Sequence, residues 1–146
     1  MQDRICAGCK RGSRRTGAIR VHPRNSAGQE SLTPQDITNA LNAIRAACPT
    51  KPIGVSRGGW IVPEIDRRPT LIGGWEELPD FAGVNFHEPG AVQTCRLLLE
   101  KGVGVEAGIW NAEAAHGFRR SRVVPADPSC ASRVLRASFS CAFRST

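Results

Sequence analysis

The chain of 146 residues has no run of 18 or more apolar residues, so no segment is expected to span a membrane. Its first twenty residues are basic and lack an apolar core, so no secretory signal is expected, and the cytoplasm is the expected location. Apolar residues make up 40%, low for a globular chain, although the length suffices for one domain with a core. Cys6 and Cys9 have metal-ligand spacing, but no second pair of that spacing follows; Cys130 and Cys141 are eleven apart. That disfavours a zinc ribbon. Six cysteines without a secretory signal are expected to be free thiols. No internal repeat is present beyond an alternation of strand and helix signals.

The net charge of +7 is unevenly spread. Residues 1–24 carry seven Lys/Arg and one acid, residues 25–115 seven Lys/Arg and eleven acids, and residues 116–146 six Arg and one acid. A nucleic-acid binder gathers its basic residues on one folded face. Here they gather by position in the chain, in two end segments with little periodicity, so a nucleic-acid role is not the expected one. Both ends are expected to be poorly ordered.

The middle alternates strand and helix. Ala18–His22 reads as a strand. Thr33 is a helix N-cap, with Pro34 at the first helical position, and Ile37, Ala40, Leu41, Ile44 and Ala47 follow the helical period up to Pro49. Pro52–Ser56 reads as a second strand, followed by the Gly58-Gly59 loop. Residues 64–75 read as a helix weakened by Pro69, and Phe81–Phe86 as a third strand. Gly90–Lys101 is a helix with Val92, Cys95, Leu98 and Leu99 on one face, ended by Gly102. Val103–Ala107 is a fourth strand, and a fourth helix starts at Asn111. After residue 116 the pattern stops; Val134, Leu135 and Phe139 are too sparse to define an element.

Four β-then-α units imply an α/β fold with a parallel sheet and right-handed crossovers. Such a set is either half of an eight-fold barrel or a small open sheet. The polar residues fall after the strands, where barrel chemistry sits: His22, Arg24, Ser56, Arg57, Asn85, His87, Glu88 and Glu106. His87 and Glu88 read equally as pocket lining or as a solvated loop. Trp60, Trp75 and Trp110 read as packing residues rather than a ligand platform. Residues two apart on a strand face the same way, so a His-x-His pair at a strand end would aim two imidazoles at one metal. This chain has Arg20-Val21-His22, with a guanidinium in the first place.

Five stretches together carry a resemblance: Gly17–Asn25 (GAIRVHPRN), Gly28–Leu32 (GQESL), Gly54–Ile61 (GVSRGGWI), Pro79–Gly90 (PDFAGVNFHEPG) and Gly102–Trp110 (GVGVEAGIW). In this order and spacing they resemble the β-keto acid cleavage enzymes, the family of 3-keto-5-aminohexanoate cleavage enzyme, over residues 17–115. The resemblance implies a zinc-dependent (β/α)8 TIM barrel that converts a β-keto acid and acetyl-CoA into acetoacetate and a new CoA ester. It implies His22 as a metal ligand, Ser56 and Glu106 as catalytic residues, and Asn85 and Glu88 as substrate-binding residues. Arg20 stands where the family has its other ligand His, Arg57 where relatives carry Thr, and Asn25 where they carry Asp. A guanidinium offers no lone pair and repels Zn²⁺.

The resemblance also implies an organisation. Residues 1–16 form a basic unmatched segment, 17–115 a partial barrel of about four βα units, and 116–146 an unmatched Arg/Ser/Cys-rich tail. The family's first strand has no match in residues 1–16, and strands six to eight are missing. The expected function is therefore that of a fragment of a β-keto acid cleavage enzyme, a transferase lineage, without activity of its own. The expected partners are a β-keto acid, acetyl-CoA and, through unpaired edge strands, a second copy of the chain. The alternative is a small basic non-enzymatic module that binds nucleic acid through its Arg-rich ends, distinguished by salt-dependent binding.

Overall fold

The computed structural model describes residues 17–123 and the strand at 134–139. The basic ends and four of the six cysteines (Cys6, Cys9, Cys130 and Cys141) lie outside the described residues, and so do the expectations attached to them. The elements in chain order are β1 (Ile19–Val21), α1 (Pro34–Ala47), β2 (Ile53–Val55), α2 (Arg67–Gly73), β3 (Phe81–Asn85), α3 (Ala91–Glu100), β4 (Gly104–Ile109), α4 (Ala112–Ser121) and β5 (Val134–Phe139). All four strand pairings are parallel, and the sheet order is β1-β2-β3-β4-β5. The described residues thus form an α/β fold, with four βα units and a fifth strand. No helix among the described residues is long and apolar enough to cross a membrane.

Local chemistry sets the helix ends. Thr33 is the N-cap of α1, its hydroxyl accepting from the Asp36 amide, and Pro34 stands in the first turn where its missing N–H is not needed. The Asp36 carboxylate also accepts from the Thr33 and Ser31 hydroxyls. Asn111 caps α4 in the same way, its side chain accepting from the Ala114 amide at 2.7 Å. Gly90 before α3 and Gly102 after it both adopt positive φ, which only glycine does without strain.

Three expectations need correction. A helix over 64–75 would carry Pro69 in its interior. Instead α2 starts at Arg67, which puts Pro69 in the first turn, where amides have no intrahelical partner anyway. Regular structure also continues past residue 116: α4 runs to Ser121, and Val134–Phe139 forms a strand beside β4. Its few apolar residues within an Arg- and Ser-rich stretch do not announce it, because a strand is specified by what it pairs with as much as by its own composition. Cys95 is a buried free thiol, as expected, whereas Cys48 is disulfide-bonded; compartment-based reasoning says nothing about which thiols a fold brings together.

The two faces of the sheet differ in kind. Ile53, Val55, Ala82, Val84, Val105, Ala107 and Ile109 point one way and form the core with Ile37, Leu41 and Ile44 of α1, Ile72 of α2 and Cys95 and Leu98 of α3. The registers Arg20↔Gly54, Gly54↔Phe81, Phe81↔Gly104, Gly83↔Glu106 and Asn85↔Gly108 place a second set on the opposite face. That set is glycine and polar residues apart from Phe81, whose ring lies over Gly54 so closely that a Cβ there would sit 2.1 Å from it. Truncating a fully buried contact between the layers tests this arrangement. Leu41→Ala is expected to lower the unfolding free energy by about 2–5 kcal/mol in chemical denaturation.

Candidate functional site

Alternation along each strand decides which residues reach the site. Arg20, Gly83, Asn85 and Glu106 lie on the glycine-rich face, and His22 and Ser56 continue it past the ends of β1 and β2. Arg20 of β1 and Glu106 of β4 form a direct ion pair. In a flat sheet three strand spacings would separate them by roughly 14 Å, so the sheet curls toward this face. A cleft of about 400 Å³ opens at the strand ends, lined by Arg20, His22, Ser56, Asn85, His87 and Glu88, with Trp60 and Trp110 beside them. Of the five sequence-derived site residues, His22, Ser56, Asn85 and Glu88 line it directly. Glu106 does not, and reaches it through Arg20.

His22 is oriented by a residue that sequence reasoning did not assign. The segment after β1 turns back at Asn25, whose side chain accepts from the Ala27 and Gln29 amides at 3.0 Å each, and Gly28 takes φ +79°. An isolated antiparallel bridge joins Arg24 to Glu30. This places Glu30 Oε1 2.9 Å from His22 Nδ1. The other Glu30 oxygen accepts from the Trp60 indole N–H at 2.7 Å. With Nδ1 facing a carboxylate, Nε2 is the nitrogen left to accept a proton or a hydrogen bond. The Trp60 hydrogen bond above all, with the His22 contact and the nearby Arg24 charge, holds the Glu30 carboxyl below the usual glutamate range against the opposing effect of burial.

Glu88 joins the loops behind the cleft. Its Oε1 accepts from the Gly59 amide at 3.0 Å and from Asn85 Nδ2 at 2.8 Å. Its Oε2 faces Arg57 Nη2 at 3.5 Å and Arg68 Nη1 at 3.8 Å. Arg68 in turn donates to the carbonyls of Val62, Gly59 and Pro63. Asn85 is engaged at both ends, its Oδ1 accepting from the Trp110 indole N–H at 3.0 Å. Asn85 and Glu88 therefore line the cleft with their polar atoms already committed. The Ser56 hydroxyl also lines it and has no hydrogen-bond partner among the described residues.

Arg57 departs from every expectation of an exposed loop. It is 2% exposed, and its Nε and Nη1 have no hydrogen-bond partner among the described residues. It follows β2, lines the cleft beside Ser56 and faces Glu88. Burial lowers its pKa, partly offset by the Glu88 charge and assisted by Arg68. Cys95 is buried too, and burial pushes its thiol up to about 12; it is an inert core thiol rather than a nucleophile.

Two of the three tryptophans reverse the packing expectation. Trp75 is 2% exposed and donates its indole N–H to the Leu32 carbonyl at 3.0 Å. Trp60 and Trp110 are 64% and 54% exposed and stand at the cleft. The glycines beneath them were the available signal. A Cβ on Gly58 would sit 2.2 Å from the Trp60 ring, and one on Gly108 would sit 2.4 Å from Asn85 Oδ1 and 3.1 Å from Trp110 Nε1.

The residues present do not fit the zinc centre that the family resemblance implies. Arg20 occupies the place of one imidazole, its cation is in contact with the Glu106 carboxylate, and His22 has only Nε2 to offer. Among the described residues no group of three or more His, Cys, Asp and Glu side chains is placed to hold a metal ion. The chain matches no model of a known protein family, and no curated protein matches it.

Two outcomes follow from this geometry. Trp60→Phe removes the main cause of Glu30's depressed pKa, so its carboxyl, followed by NMR titration, is expected to move up toward the ordinary glutamate value. A depressed carboxylate stabilises the fold above its unfolded pKa and loses that contribution as pH falls through the folded one. The Trp60–Glu30–His22 link therefore opens in acid, and in Trp60→Phe the acid transition begins at higher pH. Arg57→Met replaces two unmet buried donors with an apolar chain while Glu88 keeps Arg68, Asn85 and Gly59. It is expected to raise the unfolding free energy by about 1–3 kcal/mol.

Proposed function

We propose that this chain descends from the β-keto acid cleavage enzymes, carries part of their (β/α)8 barrel, and binds β-keto acids without cleaving them. The observation that supports this reading best is the convergence at one cleft of His22, Ser56 and Asn85, from the ends of three successive parallel strands, with the Arg20–Glu106 pair beside them. The unbroken strand order β1 to β5, with polar residues at the strand ends and the core on the other face, is the order of a barrel wall. In an open α/β sheet of the doubly wound kind the order would reverse partway.

Each cleft group has a role in binding such a substrate. The Arg20 guanidinium is a fixed cation suited to a carboxylate. The Ser56 hydroxyl can donate to a keto oxygen. His22, held through Nδ1 by Glu30, presents Nε2 as acceptor for an enol or hydroxyl proton. Cleavage in the family relies on a metal that polarises the keto carbon, and Arg20 takes the place of one of its ligands. The inherited reaction with acetyl-CoA is therefore absent, and recognition of the acid remains. Among the described residues β1 pairs on one side only, and its free edge suits self-association.

The test is binding set against turnover. Saturation-transfer NMR is expected to show acetoacetate binding to the purified protein. The same protein with zinc, acetyl-CoA and a β-keto acid is expected to form no new CoA ester. Acetyl-CoA-dependent turnover would overturn the loss of activity, and failure of acetoacetate to bind at millimolar concentration would overturn the substrate class. Calorimetry adds a second check: wild type is expected to show no stoichiometric micromolar zinc binding. Arg20→His, which restores the imidazole pair, is expected to bind the metal.

A further inference from the structure

Exposed tryptophans usually have mobile rings, yet both exposed tryptophans here are anchored. The Trp60 indole N–H is held by Glu30 Oε2 at 2.7 Å, and its six-membered ring rests against Gly58 with no room for a Cβ between them. The Trp110 indole N–H is held by Asn85 Oδ1 at 3.0 Å over Gly108, and the His87 ring meets Trp110 edge-on with centroids 6.5 Å apart. The described residues include three exposed large apolar side chains, and two of them stand at this one cleft. Holding that much apolar surface in water is unfavourable. With each N–H already spent, only apolar ring surface is left for an occupant.

The charge behind the rings gives the occupant's sign. Among the described residues, Arg57 and Arg68 share the single carboxylate of Glu88, Arg20 pairs with Glu106, and Arg24 lies 4.0 Å from Glu30. The layer therefore keeps one positive charge in excess, much of it removed from water, which disfavours a cationic guest and favours a monoanion. A space of about 400 Å³ suits a small molecule.

We propose that Trp60 and Trp110 are the walls of a ligand subsite that takes the flat apolar substituent of a small monoanionic carboxylate, an aryl-substituted acid being the type case. This rests on the β-keto acid reading for the head group and adds the class of side chain. Carboxylate and keto group lie toward Arg20, Ser56 and His22, and the aryl group lies against the indoles. Anchoring the rings in advance removes the entropy that ordering them on binding would cost.

Tryptophan fluorescence tests this directly, because Trp75 is buried and reports on the fold while the other two report on the cleft. Titration of the full chain with 3-phenylpropanoate is expected to give a saturable change at roughly ten-fold lower concentration than butanoate needs in a competition titration. Trp60→Ala and Trp110→Ala are each expected to weaken 3-phenylpropanoate about three- to ten-fold, and the Phe variants to recover most of the loss. Gly58→Ala keeps the indole but unseats it, and is expected to match Trp60→Ala. Equal affinity of wild type for the two acids overturns the proposal without recourse to any variant, as does unchanged binding in both Ala variants. Acetoacetate titrated in parallel separates the two readings. If it fails to bind while 3-phenylpropanoate binds through the tryptophans, the β-keto acid reading falls and the subsite stands.

Discussion

Parallel pairing of consecutive strands, with one apolar face and one glycine-rich face, is the constraint on which the rest of this molecule depends. A parallel sheet needs helical crossovers, and the helices must cover apolar surface. Ile53, Val55, Ala82, Val84, Val105 and Ala107 provide it on one side only. Because side chains alternate, the neighbouring residues are delivered to the other side, and there the sequence has Arg20, Gly54, Phe81, Gly83, Asn85, Gly104, Glu106 and Gly108. The absence of side chains at four of these positions leaves room for the sheet to curl and for Arg20 to meet Glu106. Site and core are thus two consequences of one period-two pattern.

The loops are fixed by a different device. Glu88 accepts from the backbone of the β2 loop, from Asn85 at the end of β3, and faces two buried arginines. Breaking such a centre leaves buried charge uncompensated, which costs more than the contacts contribute. The arrangement specifies where Gly58 and Gly59 lie, and through Gly58 it specifies where Trp60 rests. Glu88 thus lines the cleft and also fixes the loop that forms its wall.

Much of the architecture was legible because it rests on short-range rules. Thr33-Pro34 marks the start of α1, Gly102 follows α3, and the alternation of Ile53 to Ser56 puts Ser56 on the site face, all from neighbouring residues. What was not legible depends on distant closure. Glu30 acquires its role only when the Asn25–Gly28 turn folds it back on His22, and Trp60 becomes a wall only because Glu30 and Gly58 are then beneath it. Arg57 looks like a loop residue, for which propensity alone predicts exposure, and its burial comes with its place facing Glu88. The strand at 134–139 owes its existence to β4.

On the proposed descent, Arg20 redirects the site without disturbing its frame. An imidazole there would offer a lone pair and carry no permanent charge. A guanidinium offers five donors, no acceptor and a permanent charge, and it draws Glu106 into a partly exposed ion pair. Such a pair contributes little to stability, about 0–1 kcal/mol, so the substitution is not explained by folding. Its effect is on the cleft. The cleft holds a fixed cation suited to a carboxylate, and Glu30 holds His22 through Nδ1. A fixed cation beside an oriented imidazole and two anchored indoles favours recognition of an organic acid over its cleavage.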